Sequence, residues 1–342
     1  MPQAGILSGG GDSPGINAAI RAVVRYGARK GISVLGFLEG WKGPLEDLAR
    51  PISLEDVQGI HRVGGTIIGT SRTNPLKVEG GAERIVATLK RRGIDFLVAL
   101  GGDDTLGVAH RLAGYGVRIV GIPQTIDNDI ATTDYSIGFF SALEVVTEAL
   151  DRLHTTAFSH RRVLILEVMG RDSGWLSLLG GVAGGADVTL LPEERFSVAD
   201  VERRIRERQA SGRPFCTVII AEGCQPTDLE GQVLAESNVD AFGHARLGGI
   251  GQCLANELTA RLDVPVRVTN LAYLQRGGSP TSFDRILATR FGVAAIDFAL
   301  AGKFDVMTAL QGMKIKAVPL AEALSHQRTV DPWLADLADI LE

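Results

Sequence analysis

Short apolar runs that end abruptly in glycines and carboxylates recur along this chain, and they constrain its fold more than any other feature. Ala4 to Leu7 runs into Gly9-Gly10-Gly11-Asp12-Ser13-Pro14-Gly15, and Phe96 to Leu100 into Gly101-Gly102-Asp103-Asp104-Thr105. Val117 to Ile122 runs into Pro123-Gln124-Thr125-Ile126-Asp127-Asn128-Asp129. Stretches of helical periodicity lie between such runs, the first through Asn17 to Arg25. Strands alternating with amphipathic helices specify an α/β chain with largely parallel sheets. Open sheets of that kind bind ligands beyond the carboxyl ends of their strands, so these glycine-and-acid turns form the candidate site.

With 342 residues, 45% of them apolar, and 42 glycines, the chain is too long for one compact core, and two domains are expected. Phe139, Leu143, Val146, Leu150 and Leu153 recur at helical spacing, which predicts a helix from about Ser136 to His154 leaving the first domain, with a boundary near Gly138. A second series follows: Val163 to Val168 ends in Met169-Gly170-Arg171, and Thr217 to Ala221 ends in Glu222-Gly223. It reads as a second α/β unit of similar design facing the first. The polar stretch Gln225 to Gly249 is the expected exposed excursion. The net charge of −5 and the lack of a dense Lys/Arg block argue against a nucleic-acid or anionic membrane partner. Cys216, Cys224 and Cys253 lack metal-ligand spacing and read as buried thiols of a reducing compartment. No charged-then-apolar leader and no membrane-length apolar run is seen, so a soluble cytoplasmic protein is expected.

Two familiar nucleotide signatures fail. A dinucleotide fingerprint begun at Gly9 needs glycine where Pro14 stands, and no Gly-x-x-x-x-Gly-Lys-Ser/Thr occurs. What remains is a small-residue loop between strand and helix, whose amides at Gly10 and Gly11 can approach an anion. The clustered carboxylates require a compensating cation, which points to metal-dependent phosphoryl transfer. Successive side chains leaving a strand point in different directions, which separates the roles of Asp103 and Asp104; Asp103 is the candidate Mg²⁺ ligand, directly or through water. For both aspartates the alternative is N-terminal capping of a helix from Leu106 to Leu112, and for Thr105 capping is preferred. Asp127 is the candidate general base. Asp129 either orients that base or holds water on the metal, and an Asx turn is the alternative. Arg72, Arg162, Arg171 and Arg276 stand beside glycine turns or strand ends, where guanidinium groups clamp phosphates. Singly, each reads as a surface ion-pair residue.

These segments closely resemble the phosphofructokinase family over nearly the whole chain. Gly-Gly-Gly-Asp-Ser-Pro-Gly, Gly-Gly-Asp-Asp-Thr, Pro-Gln-Thr-Ile-Asp-Asn-Asp, Met169-Gly170-Arg171, Ala221-Glu222-Gly223 and Gln275-Arg276-Gly277-Gly278-Ser279-Pro280 appear in family order. The resemblance implies two Rossmann-like α/β/α domains with the active site in the cleft between them. Residues 1–138 with about 275–325 would bind the phosphoryl donor, 139–274 fructose 6-phosphate, and 326–342 would form a C-terminal tail. It implies that Gly10, Arg72 and Gly102 to Thr105 meet the donor and Asp103 meets Mg²⁺. Asp127 would deprotonate the C1 hydroxyl of fructose 6-phosphate. Thr125, Ile126, Arg162, Met169, Gly170, Arg171, Glu222, Arg267, Tyr273, Leu274, Gln275 and Arg276 would hold that sugar, some arginines being lent across a subunit interface. A homodimer or homotetramer is therefore implied.

The family divides by donor. ATP users resemble Gly-Gly-Asp-Gly, so Asp104 places a carboxylate where a nucleoside's α-phosphate would lie. Two unit charges about 4 Å apart at an effective dielectric near 20 interact by roughly 4 kcal/mol. Pyrophosphate is the donor expected, in a reversible glycolytic step. Arg72 to Lys77 and the extended stretch before Arg267 also look like the actinobacterial, pyrophosphate-using subgroup. Gln124 departs from the lysine typical of that subgroup and from the glycine of many ATP users; it can donate a hydrogen bond to a leaving phosphate but supplies no charge. Tyr273 replaces the family's common histidine. The full basic effector pocket of the allosteric bacterial enzymes cannot be assembled, so weak or absent nucleotide regulation is expected. The alternatives are the same reaction with ATP, a kinase for another acceptor such as a nucleotide or lipid, and a catalytically silent sugar-phosphate sensor.

Overall fold

The computed structural model describes residues 1–229, 234–243 and 245–341. The chain forms two compact units. One comprises Met1–Ser141, Asp240–Gly243 and Arg276–Gln327; the other comprises Ala142–Val239, His244–Gln275 and Arg328–Glu342.

The first unit opens with β1 (Gln3–Ser8), β2 (Ser33–Phe37), β3 (Ala49–Pro51), β4 (Phe96–Gly101) and β5 (Ile119–Pro123). The second contributes β6 (Val163–Val168), β7 (Val188–Leu190), β8 (Cys216–Ala221), β9 (Leu234–Val239), β10 (Ala245–Leu247) and β11 (Val266–Asn270). The chain then completes the first sheet with β12 (Val306–Gln311) and β13 (Lys314–Pro319). That sheet has the order β13-β12-β5-β4-β1-β2-β3 and is parallel except at its two edge pairs. The second sheet, β11-β6-β8-β7, is parallel throughout.

Strand alternation explains why both faces of the first sheet are apolar. Phe96, Val98 and Leu100 of β4 enter one core with helices Ile16–Arg29 and Ser282–Leu300, while Leu97 and Ala99 enter another with Gly81–Arg91 and Asp103–Ala113. The first helix pair packs closely because Gly292 has no side chain: a Cβ there would lie 2.7 Å from the Ala19 carbonyl oxygen. In the second unit, Val163, Ile165, Val218 and Ile220 pack with Leu254 and Leu258 of helix Ile250–Arg261.

The helix expected from Ser136 to His154 runs from Phe139 to His160. Its start is delayed by Gly138, whose φ of 100° is outside the helical range, and the polar segment after His154 continues the helix. The helix foreseen over Asn17 to Arg25 is likewise longer, Ile16–Arg29. Of the predicted excursion, residues 230–233 and 244 lie outside the described residues; the rest contains the antiparallel pair β9 and β10. Cys216 and Cys224 are buried free thiols, Cys253 is half-buried, and burial pushes the first two thiols well up. Among the described residues, no helix is long and apolar enough to cross a membrane.

Candidate active site

The carboxyl ends of β1, β4 and β5 stand side by side in the first sheet. Ser8 pairs with Leu100 and Gly101 with Pro123; Gly9 N donates to Leu100 O at 2.9 Å, and Gln124 N to Gly101 O at 3.0 Å. The chain leaves β1 toward β2 on one side and β4 lies on the other, so the β1/β4 boundary is where the strand order reverses. The sequence-predicted segments Gly9 to Gly15, Gly101 to Thr105 and Gln124 to Asp129 are therefore brought together. Arg72 joins them through its own segment: Gly10 N donates to Ser71 O at 3.1 Å, and Thr70 Oγ1 to Gly10 O at 2.7 Å.

Asp103 and Asp104 do not leave a strand in alternation, as the sequence reading supposed. They occupy the first turn of helix Asp103–Ala113, whose N-cap is Gly102 and which has no side-chain cap hydrogen bond. Successive helical positions diverge by about 100° around the axis, which separates the two carboxylates in a different way. Asp103 is exposed and Asp104 half-buried, and both stand at the positive end of the helix. Thr105 is 1% exposed and lies under the glycine loop: its Oγ1 would be 2.8 Å from a Cβ on Gly9 and 2.7 Å from one on Gly101. That contact, and the bond from Trp41 Nε1 to Thr105 O at 3.2 Å, make Thr105 the spacer between the two glycine turns.

The segment after β5 alternates in burial. Thr125, Asp127 and Asp129 are half-buried, whereas Ile126 is 0% and Asn128 1% exposed. Asn128 adopts a left-handed φ of 52° and its Oδ1 accepts from Ser136 N at 3.0 Å, closing the turn from inside. Thr125 Oγ1 accepts from Asp127 N at 3.1 Å, and Ser136 Oγ donates to Thr125 O at 2.6 Å. The two acidic residues are thus the half-buried positions of a loop braced from its buried side.

Gln124 is 1% exposed, and its amide nitrogen donates to Gly11 O at 3.0 Å and Ser13 Oγ at 2.9 Å. The donor expected to face a leaving phosphate therefore ties the β5 turn to the β1 loop. Its Oε1 is buried without a hydrogen-bond partner. Arg276 Nη1 donates to Asp12 O at 3.2 Å, and a Cβ on Gly11 would approach that nitrogen to 2.5 Å, so the guanidinium lies across the glycine loop.

In the second unit the predicted residues divide between two edges of one sheet. Met169, Gly170 and Arg171 follow β6, and Glu222 follows β8; Glu222 N donates to Val168 O at 2.8 Å and Gly223 N to Gly170 O at 3.0 Å. Tyr273, Leu274 and Gln275 follow β11 at the same edge. Tyr273 and Leu274 are 61% and 68% exposed, whereas Gln275 is buried and its Oε1 accepts from Met169 N at 3.2 Å. Arg162 precedes β6, and Arg267 pairs with Leu164 near its start. The strand Val163–Val168 separates Arg162 from the Met169 edge by about 20 Å and Arg267 by about 16 Å. The sequence reading had collected both groups into one set.

Two buried carboxylates went unnoticed in the sequence. In the first unit Asp284 is 0% exposed and accepts from Gly138 N at 3.0 Å, Ser141 N at 2.7 Å and Ser141 Oγ at 2.6 Å, binding the first turn of the helix that follows the Asp127 loop. Burial pushes its carboxyl up despite these donors. In the second unit Glu167 is 1% exposed and accepts from Gly249 N at 2.7 Å, Asn270 Nδ2 at 2.8 Å and Gly251 N at 2.8 Å, closing the N-terminus of helix Ile250–Arg261. An acid inside the apolar run Val163 to Val168 was the available signal, because a buried charge must be compensated.

The phosphofructokinase family profile matches residues 3–299. A Streptomyces coelicolor protein named pyrophosphate–fructose 6-phosphate 1-phosphotransferase is 50% identical over 335 residues, covering 97% of each chain. A Mycobacterium leprae protein named ATP-dependent 6-phosphofructokinase is 46% identical over 329 residues, 95% of each. Among solved structures, Pichia pastoris phosphofructokinase in the T-state superposes with a TM-score of 0.84 at 31% identity, over 99% of this chain and 36% of that one. By a match that spans most of its length and by its fold, the chain belongs to the phosphofructokinase family.

Proposed function

We propose that this protein transfers a phosphoryl group from inorganic pyrophosphate to the C1 hydroxyl of fructose 6-phosphate, giving fructose 1,6-bisphosphate in a reversible step. The first unit holds the donor and the second the sugar. Support for the donor comes chiefly from Asp104, half-buried in the first helical turn after β4 and beside the glycine loop. A further negative charge there opposes the α-phosphate of a nucleotide, while pyrophosphate has no group to place beside it. Relatives bearing the pyrophosphate name, at about 50% identity over nearly the full length, agree with this.

The same reaction with ATP is the second reading. It is favoured by Gln124, which supplies no charge and whose amide nitrogen is committed to Gly11 and Ser13, and by the name of the Mycobacterium leprae relative. Purified enzyme assayed with each donor at equal concentration is expected to use pyrophosphate at least tenfold better. Asp104→Gly is expected to raise kcat/KM for ATP by tenfold or more. A wild-type preference for ATP would overturn the assignment.

Asp127 accepts the proton of the attacking hydroxyl, and its braced loop fixes the direction of that carboxylate. Asp129, on the same side of the loop, orients it. Arg72, Arg171 and Arg276 counter charge on donor and sugar phosphate, and Gly10 and Gly11 offer backbone amides; positioning and neutralisation are the main sources of rate in such transfers. Among the described residues no group of three or more His, Cys, Asp or Glu side chains forms a protein-only metal cage. An exposed, hard oxygen ligand at Asp103 instead suits Mg²⁺, which commonly binds through one or two carboxylates and the phosphates it accompanies. When bound, Mg²⁺ supplies charge neutralisation on the pyrophosphate.

Arg162 and Arg267 stand about 16–20 Å from the Met169 edge of their own sheet, and they serve the sugar site of a second protomer in a homo-oligomer. Mixing an inactive Arg162→Ala/Arg267→Ala protein with an inactive Asp127→Asn protein is then expected to restore activity, because some hybrid sites carry no mutation. Mixtures that stay inactive after verified subunit exchange would assign both arginines to another task.

A further inference from the structure

Arg72 is ion-paired within the first unit: its Nη1 donates to Asp240 Oδ2 at 2.6 Å, across 168 residues of sequence. The Asp240 side chain is 17% exposed and that of Arg72 49%. Asp240 is anchored independently of the arginine. Its Oδ1 accepts from Phe242 N at 2.9 Å and Gly243 N at 3.0 Å, and Phe242 packs against the core cluster that contains Leu7, Ala99 and Leu106. The arginine, for its part, is fixed next to the glycine loop by the bonds of Thr70 and Ser71 to Gly10. A carboxylate held by two backbone amides therefore occupies one side of a guanidinium that stands where donor phosphates are to be met.

We propose that Asp240 is a positioning residue that sets donor affinity through Arg72, its carboxylate competing with the donor's phosphate for the guanidinium. The proposal rests on the reading of Arg72 as a donor ligand. An exposed ion pair contributes little to folding, so its consequence falls on the ligand that must share the arginine. Carboxylate and phosphate carry like charges beside one cation, and neutralising the carboxylate strengthens the hold on the donor. The interaction is solvent-accessible, so salt screens it.

Asp240→Asn in the full-length protein keeps an oxygen for the amides of Phe242 and Gly243 and removes the charge. The expected result is a KM for pyrophosphate at least fivefold lower, with the KM for fructose 6-phosphate within twofold of wild type and an unchanged Tm. The gain should shrink at high ionic strength. Pyrophosphate binding followed by calorimetry must move in the same direction. A KM for pyrophosphate that is unchanged or raised overturns the competition. Arg72→Ala is run in parallel: if it raises that KM while Asp240→Asn does not lower it, only the role of Asp240 fails. If Arg72→Ala leaves the KM untouched, the donor reading of Arg72 fails instead.

Discussion

Asp127→Asn lowers turnover by a factor of about 10²–10⁴, the range over which a positioned general base acts, while the KM for fructose 6-phosphate changes by less than about threefold. The asymmetry follows from the loop. Asp127 receives its direction from the Thr125 hydroxyl, the buried Asn128 and Ser136, none of which depends on the Asp127 carboxylate. Asparagine therefore occupies the same place and keeps an acceptor oxygen but takes no proton. Steady-state kinetics with saturating pyrophosphate test this directly, and turnover within tenfold of wild type would remove Asp127 from the role of base.

Asp284→Ala is expected to have the largest effect on stability. It strips the acceptor from two buried amides and one buried hydroxyl in the first turn of helix Phe139–His160. Orphaned buried donors cost about 1–3 kcal/mol each, and the relief of removing a buried carboxyl offsets part of that sum. A net loss of about 3 kcal/mol is expected, a fall in Tm of roughly 3–5 °C for a chain of this size. Asp284→Asn keeps one acceptor oxygen and should lie between alanine and wild type. Thermal denaturation followed by circular dichroism measures the series, and an alanine variant melting within one degree of wild type would contradict this account of the helix start.

How much of this was legible in the sequence depended on whether the physical cause was local. The three turns after β1, β4 and β5 were readable because glycine and acid at a strand end signal the change of direction within a few residues. Parallel strand order then brings them together. The edge-to-edge separation of Arg162 from Met169 was also contained in the sequence, since a six-residue strand lies between them; grouping by motif obscured it. Roles set by partners far along the chain were not readable. Gln124 looked like a group facing a phosphate until Gly11 and Ser13 appeared beside its amide, 113 and 111 residues away. The helix turn that holds Asp103 and Asp104 could be misread because the same residues also suit a strand end or a cap. Asp240 gave no local sign of its partner, which lies 168 residues earlier.

Thr105 sits buried beneath the glycines, and its neighbour Asp104 is half-buried. One peptide bond thus separates a position closed off by scaffold packing from one that still reaches solvent. If residue 104 sets the donor as proposed, a lineage can exchange one phosphoryl currency for another there without reopening the packing at residue 105. On that proposal a split in donor between relatives is a shallow event, reached by small steps on an unchanging frame.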